Sequence, residues 1–378
     1  MTGHRAVAIA ALLFGAAYPD ATAGAAAAPP LVLTVDDRAD LPDEAPADGA
    51  CRTAAGTCTL RAAVQEASAG GEPTVVRVPE GTFVLTVPGQ DEDASATGDL
   101  DLATFVTIRG AGRGTVVTSE VDRVLHVVPG GSGTVERLTI RDASVDGSGA
   151  GVLNDGDLTL VDVLVAGNHA VGDGGGIFSG AGLVRLERTT VAGNTAGNSG
   201  AGMTVAGPTT VVQSTFSHNR VLESFGGGAG RGGAVRALPT ARLDVAFSTF
   251  AGNGAPLAGS TITADEGAAV RLAASVVAGA GPAPDCDRPV RSGGGNLAAD
   301  ASCHLKAQGD RVGVEPRLGP LTYAGGPTPV HVPAAGSPAV DSLVGGFPCP
   351  SRDQRGAPRP ADGDGDGVGR CDRGSVER

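Results

Sequence analysis

The chain has 378 residues and a formal net charge of −13. It offers no basic stripe to neutralise phosphates, which argues against a nucleic-acid partner, and a polyanionic ligand would need a bridging cation. Gly accounts for 61 residues, aromatics for 3% and Trp is absent, so any core is built from Val, Leu, Ile and Ala in a chain that turns often.

Residues 1–25 read as a secretion signal. His4 and Arg5 give a basic start, and AVAIAALLFGAAY is too short to span a bilayer. Ala21-Thr22-Ala23 and Ala23-Gly24-Ala25 are small-x-small cleavage candidates. No later stretch is long and apolar enough for a membrane span. Export turns the six cysteines into expected disulfides. The local pairing, Cys51 with Cys58, Cys286 with Cys303 and Cys349 with Cys371, is favoured because every couple lies outside the repeat described below. Sequence alone leaves the other connectivities open.

Residues 26–72 are expected to form an N-terminal cap. LVLTVD, Leu31 to Asp36, reads as a strand. In CTLRAAVQEAS, Leu60, Ala63, Val64 and Ala67 fall at i, i+3, i+4 and i+7, the spacing of a short amphipathic helix. Its apolar face would cover the open end of a stacked β structure.

Residues 73–285 carry that stack. Val75 to Val78, Phe83 to Val87, Phe105 to Ile108 and Val124 to Val128 read as early coils, and VERLTI, Val135 to Ile140, leads into a regular section. There LTLVDVLVAGN, VRLERTTVAGN, TVVQSTFSHN and LDVAFSTFAGN end at Asn168, Asn194, Asn219 and Asn253. Three residues before each Asn stand Val165, Val191, Phe216 and Phe250; eight before stand Leu160, Leu186, Val211 and Val245. Small-residue runs lead into Val152, Ile177, Met203 and Val235. A period of roughly 25 residues, made of short strands broken by Gly and Asn, marks a solenoid. We therefore expect an all-β fold, a right-handed parallel β-helix with three sheets and a short N-terminal capping helix. The recurring Asn is expected in a left-handed turn with its amide in a hydrogen-bonded ladder. His169 and His218 are read as turn surface. The last interval is longer by about eight residues, an insertion lying between Arg220 and Gly233.

Residues 286–378 are expected to form a disulfide-clipped C-terminal module. The pattern fails after Ala280, and the apolar stretch Val330 to Val344 is expected to finish the stack. DGDGDGVGRCD opens like a calcium loop: Asp362, Asp364 and Asp366 alternate before Gly367, and Asp372 could close the set where Arg373 occupies the usual acidic position. Alternate carboxylates can converge on one hard cation, so a weak, structural calcium ion is expected on Asp362, Asp364, Asp366 and Asp372. The loop is similar to the shorter calcium loops of thrombospondin type 3 repeats.

Three further motifs carry a resemblance. Cys58-Thr59-Leu60-Arg61-Ala62-Ala63 resembles the Cys-Ser-Leu-Arg-Glu-Ala signature of bacterial CSLREA-domain proteins, with Thr59 for Ser and Ala62 for Glu. Phe216-Ser217-His218-Asn219, Phe250-Ala251-Gly252-Asn253 and Gly232-Gly233-Ala234-Val235 are similar to repeat elements of chlamydial polymorphic outer-membrane proteins. Ser337-Pro338-Ala339-Val340-Asp341, Asp353-Gln354-Arg355-Gly356 and Cys371-Asp372-Arg373-Gly374 resemble the C-terminal region of choice-of-anchor β-helix proteins. This resemblance covers nearly the whole mature chain and implies a secreted or surface β-helix of unassigned activity.

A β-helix hydrolase needs paired carboxylates on adjacent coils. Asp155, Asp157 and Asp162 share one coil, Glu187 and Asp244 are out of step, and Asp36-Asp37 lies near the cap. Arg185, Arg188, Arg236 and Arg242 stand without acidic company in the sequence, and Lys306 lies in the tail. No GxSxG, HExxH or phosphate loop occurs. The expectation is therefore a non-catalytic, adhesin-like role, secreted or at the cell surface, as a monomer binding an extracellular glycan or a surface protein. The alternatives are a polysaccharide lyase or glycoside hydrolase, and a structural spacer. With no apolar tail or sorting motif at Arg378, release or non-covalent attachment is expected.

Overall fold

The computed structural model describes residues 29–90, 92–222, 230–281, 283–344 and 347–378. The expected secretion signal, residues 1–25, and positions 223–229 of the insertion lie outside the described residues.

The chain is a parallel β-helix. One ten-stranded sheet, here sheet 1, runs from Leu31–Thr34 to Arg291–Ser292. A second, sheet 2, runs from Gly81–Leu85 to Arg311–Val312. Sheet 3 has seven strands, from Leu100–Leu102 to Ile262–Ala264. A fourth, narrow sheet of two-residue strands joins Ser144–Val145, His169–Ala170, Thr195–Ala196 and Arg220–Val221. Each regular coil thus has a fourth side that was not expected. Register follows the repeat: Val165 pairs with Val191, Val191 with Phe216 and Phe216 with Phe250. These side chains are buried in one continuous core, and the Phe216 and Phe250 rings stack at 5.1 Å.

The Asn ladder is present. Nδ2 of Asn168 donates to Oδ1 of Asn194, Asn194 to Asn219 and Asn219 to Asn253, each at 2.9 Å. Each Oδ1 also accepts the backbone N–H of the Asn one coil earlier. The left-handed residue is not the Asn but the one before it: Gly167, Gly193, His218 and Gly252 have φ of 68°, 63°, 53° and 65°. That residue turns the chain, so the Asn side chain points inward and is fully buried. A second polar ladder was not foreseen. The backbone N–H groups of Thr189, Ser214 and Ser248 donate to the hydroxyls of Ser214, Ser248 and Ser275 at the corner between sheets 1 and 2.

The helix Leu60–Gly70 buries Leu60, Ala63, Val64 and Ala67 against the core, as its spacing required. The Thr59 hydroxyl caps it by accepting from the Ala62 N–H at 3.1 Å. The three disulfides are the local pairs.

Two expectations for the C-terminus are corrected. The stack does not fail after Ala280: Arg291–Ser292 extends sheet 1, and Leu297–Ala298 and Arg311–Val312 extend sheet 2. Val330–Pro333 does not finish the stack either. It pairs antiparallel with Leu318–Thr322 and lies back on the outer face of sheet 2. There a column of threonines receives the tail: Gln354 bonds Thr190 and Thr215, and Ser375 bonds Thr249. The buried Gln354 and Arg373 are thus docking groups that fasten the tail to the stack.

Candidate functional site

Of the three long faces, sheet 2 is covered from Thr190 onward by the tail. Sheet 1 presents a row of threonines and charged residues in register, Thr107, Thr134, Thr159, Arg185, Thr210, Asp244 and Arg271. Sheet 3 is different. Its strands are three residues long, with both ends turned into the core. Alternation therefore turns each middle residue outward. In register these are Asp101, His126, Leu153, Phe178, Thr204, Arg236 and Thr263. Although they point outward, Asp101, Thr204 and Thr263 are fully buried and His126 is 8% exposed. The flanking turns therefore stand over parts of this row and leave Leu153, Phe178 and Arg236 partly exposed; we call this row the trough of sheet 3.

One end of the trough is ionic. His126 Nδ1 lies 3.2 Å from Asp101 Oδ1 and 3.6 Å from Asp93 Oδ1, and Nε2 lies 3.3 Å from Asp155 Oδ2. Asp101, His126 and Asp155 sit on three successive coils. Burial, reinforced by the neighbouring Asp101, pushes Asp99 up to about 7. Burial likewise raises the Asp101 pKa. Burial alone would lower that of His126, but the hydrogen bond with Asp101 and the surrounding carboxylates outweigh it and the net shift is upward. Near neutral pH this end of the trough can hold a proton on His126 or a cation among the carboxylates.

The cap helix fixes this end. Arg61 is fully buried, paired with Asp40 at 2.6 Å, and donates to the carbonyls of Ser95, Gly98 and Asp99. Gln65 adds a bond to the Ser95 carbonyl. The segment from Glu92 to Asp99, which bears Asp93, is therefore tied to a rigid element. At the other end, Arg236 pairs with Asp173 at 3.4 Å and Asp265 at 3.0 Å. Arg236 does have acidic company because Asp173 and Asp265 reach it from other coils, and Arg188 likewise meets Asp162 of the coil before it, whereas Glu187 pairs with Arg185 and Arg188 locally along the chain.

The structure divides the expected calcium residues. Asp362 and Asp364 meet Asp341, their carboxylates close enough to share an ion. Asp341 was not among the expected ligands. It accepts the N–H groups of Gly363, Asp364 and Arg370, and so holds the loop in place. Asp366 turns instead to Arg370 at 3.1 Å, and that hydrogen bond lowers its pKa. Asp372 is buried away from the loop, accepting from the backbone N–H groups of Asp341 and Arg378. Burial pushes its pKa up to about 7. Two groups of acidic and His side chains could thus hold a metal ion: Asp93, Asp101 and His126, and Asp341, Asp362 and Asp364.

No protein-family model, no curated protein and no solved structure matches the chain. The resemblances drawn from short motifs therefore rest on those motifs alone, and the fold rests on the order and parallel register of the strands. Among the described residues no helix is long and apolar enough to cross a membrane.

The sequence missed the trough cluster because Leu100–Leu102 was not recognised as a strand amid the acidic stretch before it. The signal was available. Aligning Leu-Asp-Leu with Leu-His-Val and Val-Leu-Asn, at the same step of successive coils, places Asp101 over His126 with Asp155 beside them.

Proposed function

We propose that the chain is a secreted or cell-surface, non-catalytic β-helix protein that binds an extended glycan along the trough of sheet 3. The observation that carries this reading is the trough floor. Leu153 and Phe178 offer an apolar, aromatic platform between the His126 cluster at one end and the Arg236 triad at the other. Ligand sites combine apolar surface with a few placed polar groups in this way. His126 and Arg236 are four coils apart, about 19 Å at about 4.8 Å per coil, a length suited to several units of a polymer. The three disulfides support an oxidising, extracellular setting, and the CSLREA-like and choice-of-anchor-like motifs support the same placement.

One observation favours a second reading, cleavage of that glycan: acids and a base stand on three successive coils at Asp101, His126 and Asp155. We also read Asp341, Asp362 and Asp364 as a weak calcium site, with a Kd of roughly 10⁻⁴ to 10⁻³ M as in extracellular modules. The test is a panel of plant, algal and bacterial polysaccharides, with and without calcium, scored for binding, reducing ends and unsaturated products. Binding without cleavage is the expected result. Cleavage of any member establishes the second reading. Neither binding nor cleavage leaves a spacer.

A further inference from the structure

We infer that Asp93, Asp101 and His126 bind one divalent transition-metal ion, of the zinc or cobalt class, with an open position toward the trough. The geometry stands apart from what the trough binds.

Ligand spacing comes first. A tetrahedral ion with bonds of about 2.0–2.1 Å sets its ligand atoms roughly 3.3 Å apart. His126 Nδ1 is 3.2 Å from Asp101 Oδ1 and 3.6 Å from Asp93 Oδ1. All three ligand atoms lie within 4.8 Å of one another. They already surround a point an ion could occupy.

The outer partners are also in place. A metal-bound imidazole needs its other nitrogen to donate, usually to a carboxylate. Asp155 stands 3.3 Å from Nε2, so it can accept that N–H when a cation replaces the proton at Nδ1. Asp101 uses its second oxygen, Oδ2, to accept the Ser95 N–H at 2.7 Å. Its Oδ1 is left for the cation, and Arg61 fixes the Ser95 loop from the helix. The oriented ring distinguishes this group from a mere cluster of acids.

Charge and access agree. Asp93, Asp99, Asp101 and Asp155 surround His126, and Arg123, paired with Asp99, is the one arginine paired with any of them among the described residues. Asp101 is fully buried, whereas the Asp93 side chain is 70% exposed. An ion held by the first would be reached by water beside the second. One imidazole with two carboxylates suits zinc, cobalt or manganese better than calcium, which takes six to eight oxygens.

The experiment uses the full mature chain, stripped with EDTA and titrated with Co²⁺ by absorption and with Zn²⁺ by calorimetry. One ion per chain is expected. Asp155→Asn should weaken affinity by roughly 10–100-fold, the usual effect of removing an orienting partner. Asp93→Asn, at an exposed position that leaves folding intact, should weaken it too, and His126→Gln should abolish it. Asp362→Asn should leave it unchanged. The inference is overturned if wild type binds neither ion, or if binding survives Asp93→Asn and Asp155→Asn undiminished. It is equally overturned if binding is lost with Asp362→Asn.

Discussion

Consider Asn194→Ala. The Asn194 side chain is fully buried. Its Nδ2 donates to the Val165 carbonyl and to Asn219 Oδ1, and its Oδ1 accepts from both N–H groups of Asn168, backbone and side chain. Truncation removes four hydrogen bonds. Asn219 Oδ1 keeps the Asn194 backbone N–H, and Asn168 Nδ2 keeps a long contact to Ile140. The Val165 carbonyl and the Asn168 backbone N–H are left without these partners, at about 1–3 kcal/mol for each buried unsatisfied group. The expected loss is therefore on the order of 3–5 kcal/mol, large beside a typical surface substitution. Chemical denaturation followed by far-UV circular dichroism would read it as a lower midpoint with similar slope. Asn198→Ala, on a partly exposed turn, should fall within about 0.5 kcal/mol of wild type. A midpoint for Asn194→Ala equal to that of Asn198→Ala would refute the ladder's role.

Further predictions concern the turns, the tail and the trough. Gly193 has φ 63° with open space where a Cβ would sit, whereas Gly254 has open space and no left-handed φ. Gly193→Ala should therefore cost about 1–2 kcal/mol and Gly254→Ala almost nothing, as melting temperatures would show. His331 is buried between the Ser217 hydroxyl and the Gly319 carbonyl, and burial lowers its pKa below the ordinary 6.5. The unfolded chain then takes up the proton more readily, so this contribution is complete above pH 6.5 and is lost as pH falls below it. His331→Gln should flatten the acid side of the stability profile, and an unchanged profile would contradict the burial argument. A Cβ on Gly180 would lie 2.7 Å from Asp155 Oδ1. Gly180→Ala should push that carboxylate off His126 and lower Co²⁺ affinity in the same direction as Asp155→Asn, with little change in melting temperature.

The repeat made the fold legible because each coil must present the same inward residues. Val165, Val191, Phe216 and Phe250 could be stacked from their spacing alone. The cap helix was legible from four apolar positions. What its polar residues do was not: Arg61 reaches loop carbonyls more than thirty residues away, and no periodicity encodes that. The tail was misread because Val330 to Val344 is as apolar as a core strand. Its strand pairs antiparallel against an outer face, and threonines at outward positions gave the only hint. The candidate site was hidden for a related reason. Outward positions vary from coil to coil, so Asp101, His126 and Asp155 become neighbours only once register is known. Asp341 was missed because it joins its loop across a long stretch of sequence.

The most direct test of the account is to compare Phe178→Ala with Thr159→Ala in binding to whichever polysaccharide the wild-type protein retains. Phe178 lies on the trough floor and Thr159 on the open face of sheet 1. The account predicts at least a tenfold loss of affinity for Phe178→Ala, about 1.4 kcal/mol, and wild-type affinity for Thr159→Ala. Unchanged affinity for Phe178→Ala, or a loss confined to Thr159→Ala, would contradict it and move the binding surface to another face of the helix.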